Sequence, residues 1–280
     1  MSPEAFRNVD LHTHSACSDG TVSPAELVRI AHRAGLEALI LTDHNTVAGV
    51  PEARREAESL GQRFAGGIEI NTREGDCTHI LGYGIDPTGA GLQDLLAGLR
   101  RHRRERVERI VELLQRLGVQ LDLEDIRTQS DETVGRPHVA DALLRKGVVR
   151  TRSEAFRRFL RRGGPAHVGS VGPTVPEAIA AIRDAGGWAS LAHPGLLSRK
   201  CDLGPWVDAG LEGIEVYYPS HTRSQMRRFL ETAERYRLLA TGGSDFHGPR
   251  TDNEKIGGIR MPPEAFDRIE GRLGLIGGGA

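Results

Sequence analysis

A chain of 280 residues with 38% hydrophobic side chains and a mean hydropathy of -0.36 is long enough to bury a substantial core. No apolar stretch approaches the ~20 residues a membrane-spanning helix needs. Residues 1–7 lack the charged-then-apolar pattern of a secretory signal, so the cytoplasm is the expected compartment. Cys17, Cys77 and Cys201 form no CxxC pair, which argues against both a disulfide framework and a structural zinc knuckle. The net charge is -1, but residues 98–165 hold 17 Lys/Arg against 10 Asp/Glu, while the remainder holds 20 against 28. A basic segment on an acidic body fits an anionic substrate, and equally fits an arginine-rich helix face in contact with water.

In chain order, short apolar runs bounded by Gly, Asp and Pro predict strands near 8–12, 38–42, 64–70 and 77–83. A helix is predicted over 24–34, with Ser23 as N-cap and Pro24 in its first position, and another over 50–60. Residues 92–162 break this rhythm. Leu92, Leu95, Leu96, Leu99, Val107, Ile110, Val111, Leu114 and Leu117 recur at helical spacing and Gly118 ends the run. Helices over 136–146 and 152–161 follow, separated by Gly147. Alternation then resumes: helix 175–185, strands 188–192 and 212–217, helix 222–236, strand 238–242, and a last helix over 263–273. Successive βα units imply a parallel sheet with helices outside it. The expected fold is α/β, a distorted TIM-like (β/α)7 barrel. Residues 1–91 and 166–273 form the barrel, 92–165 a helical insertion that could act as a lid, and 274–280 a flexible tail.

The chemistry lies where these runs end. Val9-Asp10-Leu11 leads into His12-Thr13-His14, with Asp19 in Ser18-Asp19-Gly20; later runs end at Asp43-His44, Glu69, His193 and Asp245-Phe246-His247, and His79 opens another. His12 and His14 alternate on an extended strand, so both rings face the same side. A lone HxH is weak evidence, because most buried histidines are simply hydrogen-bonded. Strands from all along a chain that end in imidazoles and carboxylates meet at one place, and these ligand types suit borderline and hard divalent metals. Asp10 and Asp43, beside ligands, are expected to orient them.

With SDG, TDH, a strand-terminal Glu, AHP and SDFH in this order, the sequence resembles the PHP family, the polymerase and histidinol phosphatase superfamily. The resemblance covers residues 8–85 and 165–250. It implies three divalent metal ions: one held by His12, His14, Glu69 and Asp245, a second by Glu69 as bridge with His79 and His193, and a third by Asp19, His44 and His247. Asn45 stands where the family usually has Asp. Three such ions bring about +6 and Asp19, Glu69 and Asp245 return about −3; with a hydroxide the balance is about +2, matching a phosphate monoester dianion. Metal-activated water is the expected nucleophile. Manganese is favoured, with zinc or iron as alternatives.

Gly135-Arg136-Pro137-His138 opens a predicted helix in the basic segment, and Glu215-Val216-Tyr217-Tyr218-Pro219-Ser220-His221 ends a predicted strand. With the helical insertion and AHPG, these resemble the PHP branch of nucleotide 3′,5′-bisphosphate phosphatases and 5′→3′ exoribonucleases. The resemblance implies hydrolysis of the 3′ phosphoester of a 5′-phosphorylated nucleotide or short RNA; no obligate protein partner is expected. Arg136 and His138 are the expected substrate-binding residues; Arg136 could instead form a salt bridge within the segment. Glu69 and His221 are the expected catalytic residues; His221 could instead bond a loop carbonyl. A histidinol phosphatase, or a non-catalytic metal-bound scaffold for nucleic acid, are the competing readings.

Overall fold

Strand β1 (Arg7–Thr13) is buried from Val9 onward, as expected of a strand covered on both faces. It leads through helix α1 (Pro24–Arg33) to β2 (Ala38–Leu41), and through α2 (Val50–Leu60) to β3 (Phe64–Gly66). Both helices serve as crossovers between parallel neighbours. Ser23 caps α1 by accepting the Glu26 N–H. Strand β4 (Ile68–Asn71) follows after Gly67, then β5 (His79–Tyr83) and the long α3 (Ala90–Arg116). Helix α4 (Arg136–Arg145) comes next, and α5 (Arg152–Ala155) runs into a π-helical turn, Phe156–Leu160. The chain continues through α6 (Val175–Asp184), β6 (Trp188–Leu191), α7 (Gly204–Asp208), β7 (Leu211–Tyr217), α8 (Arg223–Tyr236), β8 (Leu239–Gly242), β9 (Arg260–Met261) and α9 (Pro263–Glu270). This computed structural model describes residues 6–75, 77–126, 133–170, 172–197, 202–249, 251 and 253–277; Cys201 and residues 278–280 lie outside the described residues. Among the described residues, no helix is long and apolar enough to cross a membrane.

The strands form two sheets, ordered β3-β2-β1-β9 and β4-β5-β6-β7-β8, so the fold is α/β. Two observations bear on the expected distorted, parallel TIM-like barrel. Among the described residues neither sheet closes on itself, and isolated bridges, Thr13 to Phe246 and His44 to Glu69, join the two. In addition, β5 runs antiparallel to both of its neighbours. The link from Asn71 to His79 is far too short for the crossover of a dozen or more residues that a parallel pair requires. The expected flexible tail also has structure: Ile276 pairs antiparallel with Phe64. It covers the outer edge of β3, whose backbone groups would otherwise be unpaired.

Helix α3 belongs to two cores. Leu92, Leu96 and Leu99 pack with Ile179 and Ile182 of α6 in the main core. Val107, Ile110, Val111 and Leu114 pack with Val139, Leu143 and Leu160 in a separate cluster. Gly118, at φ 79°, ends the helix region, a conformation that costs glycine nothing.

Candidate metal centre

The bridges that join the sheets also gather the histidines. Asp245 N–H donates to the His12 carbonyl and His14 N–H to the Phe246 carbonyl, each at 2.8 Å, so the end of β8 lies directly against the end of β1. Gly243 permits this approach, since a Cβ there would stand 2.3 Å from the His12 Cβ. His79 arrives from the opposite chain direction. It opens β5, and because β5 is reversed, its first residue reaches the edge where its neighbours end.

Glu69, fully buried, is ringed by five imidazoles. Its Oε2 lies 3.3 Å from His12 Nε2, 3.2 Å from His14 Nε2 and 2.9 Å from His44 Nδ1. Its Oε1 lies 2.8 Å from His79 Nδ1 and 3.1 Å from His193 Nε2. Asp245 Oδ1 is 3.4 Å from His12 Nε2 and 3.0 Å from His14 Nε2. Asp19 stands beside this group, its Oδ1 3.2 Å from His247 Nε2 and its Oδ2 3.7 Å from His44 Nε2. Three sets have ligand atoms mutually within 4.8 Å: His12, His14, Glu69 and Asp245; His14, Asp19, His44 and His247; and His44, Glu69 and His79.

The donor set fits divalent cations. Among the described residues, His12 Nε2, His14 Nε2, His44 Nδ1, Asp19 Oδ1 and Glu69 Oε2 are buried without an aligned hydrogen-bond partner. Buried polar atoms are nearly always satisfied, and so many orphaned lone pairs converging on one small volume call for electrophiles. Mixed imidazole and carboxylate donors are what borderline and hard divalent ions bind.

The charges of the cluster lean on one another. Burial acts to raise Glu69, but the rings of His44, His12 and His79 outweigh it and hold the carboxyl well below its usual range. Asp19 is lowered in the same way by His44 and His247. Burial acts to lower His14, yet Asp245 and Glu69 raise it to about 10. For His44 burial prevails, and its pKa falls to about 4.

Around the donors lies a scaffold of hydrogen bonds. Asp43 accepts Ser15 N–H at 2.7 Å and the Ser15 and Ser18 hydroxyls at 2.6 Å each, folding the loop that carries Asp19. Asp10 accepts Ser244 N–H at 2.8 Å and Gly257 N–H at 2.9 Å, fixing the segment that carries Asp245. Tyr218 Oη and Asn253 Nδ2 donate to Asp245 Oδ2 at 2.9 and 3.0 Å. Asn45 Nδ2 donates to Asn71 Oδ1 at 2.8 Å, and Asn71 Nδ2 to His79 Nε2 at 2.7 Å. Asn45 therefore acts on the cluster through a neighbour. Among the described residues, four non-glycine positions have positive φ, and three of them, Asn45, His193 and Asp245, lie here. Strain of this kind concentrates where a site over-determines the backbone.

The remaining sequence-derived candidates fall at different distances from the chemistry. His221 is buried and follows β7; its Nδ1–H donates to the Val216 carbonyl at 2.9 Å and its Nε2 accepts Gly195 N–H at 3.1 Å. Both ring nitrogens are thus engaged by backbone, next to the His193 loop. Arg136, at the start of α4, directs Nη1 to the Leu160 carbonyl at 3.4 Å and lies over the Phe156 ring. His138 Nδ1 accepts Gly135 N–H at 3.1 Å. Its pKa is lowered by burial and feels the charge of Asp19. Arg103 of α3 was not singled out within the arginine run. Its Nη1 donates to Thr133 Oγ1 at 2.6 Å, and burial lowers its pKa against the opposing pull of Asp19 and Glu69, with Arg136 close enough to add repulsion. Glu215 was also missed: nothing in a strand sequence distinguishes it from any other acid.

This arrangement of strands, imidazoles and carboxylates agrees with comparison to known proteins. The PHP domain model matches residues 10–145. The chain is 34% identical to a 3′,5′-nucleoside bisphosphate phosphatase of Chromobacterium violaceum, over 91% of this chain and 93% of that protein. It is 35% identical to a 5′-3′ exoribonuclease of Haemophilus influenzae, covering 87% and 91%. It is also 34% identical to a phosphoribosyl 1,2-cyclic phosphate 1,2-diphosphodiesterase of Eggerthella lenta, covering 85% and 94%. The chain belongs to the PHP family. It is a metal-dependent phosphoesterase, a hydrolase of phosphoric ester bonds.

Proposed function

We propose that the chain hydrolyses the 3′ phosphoester of 5′-phosphorylated nucleotides, converting a nucleoside 3′,5′-bisphosphate to the 5′-monophosphate and phosphate, and trimming short 5′-phosphorylated RNA from its 5′ end. The observation that carries this reading is the buried, five-imidazole ring around Glu69, with Arg103 near enough to feel the charge of Asp19 and Glu69 and Arg136 near Arg103. One set of groups suits cations that receive a phosphoryl group, and the other suits a second phosphate on the same substrate. The phosphatase of C. violaceum and the exoribonuclease of H. influenzae support this choice by their names.

In this reading His12, His14, Glu69 and Asp245 hold one ion. Glu69 is shared with His79 and His193 at a second, and Asp19, His44 and His247 hold a third, with manganese the favoured metal. Such ions, when bound, activate water and neutralise phosphoryl oxygens. The chain's own contribution is position. Asp43 and Asp10 lock the loops that carry Asp19 and Asp245, and burial excludes competing water. Arg136 and Arg103 bind the 5′-phosphate, and His138 fixes the start of α4 beside them. His221 holds the Gly195 turn behind His193 rather than moving a proton. Residues 92–165 then serve as an inserted recognition segment over a distorted barrel made by 1–91 and 166–273, in the cytoplasm.

The test is phosphate release from adenosine 3′,5′-bisphosphate by purified protein with and without Mn2+. Manganese-dependent release is expected, with weaker turnover of histidinol phosphate. The E. lenta relative supplies a second reading, a cyclic phosphodiester substrate. Faster turnover of a ribose 1,2-cyclic phosphate, or of histidinol phosphate, would displace the bisphosphate.

A further inference from the structure

We propose that Glu215 is a positioning residue that sets which nitrogen of His12 faces the metal centre and holds the backbone of His193 in its ligand-presenting turn. The inference rests on the metal-dependent reading above and extends it to a strand that supplies no candidate ligand. Glu215 is fully buried in β7. Its Oε1 accepts His12 Nδ1–H at 3.0 Å, and its Oε2 accepts His193 N–H at 2.6 Å. The two contacts reach different strands, so one side chain ties the ends of β1 and β6 together.

The first contact decides a tautomer. A carboxylate can only accept, so a neutral His12 facing it carries its proton on Nδ1. Nε2 is then the lone-pair nitrogen, and it is this atom that lies 3.3 Å from Glu69 Oε2 and 3.4 Å from Asp245 Oδ1. The second contact anchors an unfavourable backbone. His193 has φ 26° and ψ 59°, which a β-carbon disfavours, and a short hydrogen bond to its N–H helps to keep it there. The residues after Glu215 continue the same work. The Val216 carbonyl holds His221, whose Nε2 holds Gly195 N–H two residues beyond His193. A Cβ at Gly195 would lie 2.5 Å from the His221 ring, so that turn is pressed directly against its support. Tyr218 steadies Asp245. Strand β7 thus organises ligands borne by three others.

Glu215→Gln separates this role from simple packing, because it keeps size and shape while replacing one acceptor by an N–H donor. If the amide NH2 faces His12, the ring is driven to the Nε2–H tautomer, which cannot ligate through Nε2. If it faces His193, two N–H groups oppose each other and the turn opens. The measurements are Mn2+ affinity by titration calorimetry and long-range 1H–15N spectra of histidine in the zinc-loaded protein. Glu215→Gln is expected to bind Mn2+ about 10–100-fold more weakly, with a wild-type circular dichroism spectrum. Glu215→Asp, which retains the carboxylate, is expected to recover part of that loss. In the zinc-loaded wild type, His12 is expected to carry its proton on Nδ1. Equal Mn2+ affinity in wild type and Glu215→Gln, or a His12 proton on Nε2 in the zinc-loaded wild type, overturns the proposal alone. Failure of the wild type to bind any divalent metal overturns the metal-dependent reading with it. Should Glu215→Gln not fold, Glu215→Asp and the wild-type spectrum still decide.

Discussion

The two sheets and the helical region from α3 to the π-turn bury their residues in opposite ways. Where the sheets meet, the interior is polar: Asp10, His12, His14, Asp43, Glu69, His193 and Glu215 are all buried at or next to one edge. Each is held by a partner from a distant part of the chain. The helical region has a dry cluster built from Val107, Ile110, Leu114, Val139, Leu143 and Leu160, and turns arginines outward or toward the site. The sheets therefore carry the chemistry at a cost in desolvation that hydrogen bonds and cations must offset, whereas the helices are stabilised by ordinary apolar burial.

If labour is divided in this way, the sharpest break comes from Glu69→Ala. Removing the carboxylate that five imidazoles surround is expected to lower phosphate release by more than about 10^3-fold and to deplete bound metal, measured by elemental analysis. Leu114→Ala should do the reverse. It is expected to cost about 2–5 kcal/mol by the usual penalty for truncating a buried leucine, seen in denaturant unfolding, with metal content per folded molecule unchanged. A metal loss in Leu114→Ala would show that the two regions are not separable. Arg136→Ala tests recognition. Losing a charged hydrogen bond of about 1.5–3 kcal/mol should reduce kcat/KM for a 5′-phosphorylated substrate by about 10–150-fold, while hydrolysis of an aryl phosphate stays near wild type. Equal losses on both substrates would remove Arg136 from the recognition role.

The smallest expected effect is one of pH on the chelated protein. His14 has an ordinary pKa of 6.5 and is raised to about 10 in the folded chain. A raised histidine contributes stability that is complete below its unfolded pKa and lost as pH climbs through the folded one. His12, His193 and His247 are raised as well. His44 and His79, which are lowered, no longer titrate above 6.5. The melting temperature of the chelated protein should therefore fall between pH 6.5 and about 10, and fall less with Mn2+ bound, since the cations then replace the protons. Parallel melting curves would contradict this.

The α/β alternation and the helical segment were legible because periodicity and caps are local: Ser23, Pro24 and Gly118 mark their boundaries without help from the rest of the chain. The positions that converge on Glu69 were legible for a related reason, since a strand that ends in a histidine or an acid announces its role in a few residues. Strand direction was not. The reversal of β5 follows from a short link that could have been counted, but seven apolar runs in series suggested uniform parallel order. The roles of Glu215, Tyr218 and Asn253 escaped notice because their partners lie far away in sequence: Glu215 is 203 residues from His12. The same holds for Arg103, whose nearness to Asp19 depends on the rotation of a helix that is basic on several faces. The pairing of Ile276 with Phe64 was hidden in a glycine-rich ending that reads as coil.

Helix α3 is 27 residues long, about 40 Å at the usual rise, and is rooted at one end in each of the two cores. A continuous rod clamped at both ends does not bend like a hinge. The position from which Arg103 feels Asp19 and Glu69 is therefore built in when the chain folds.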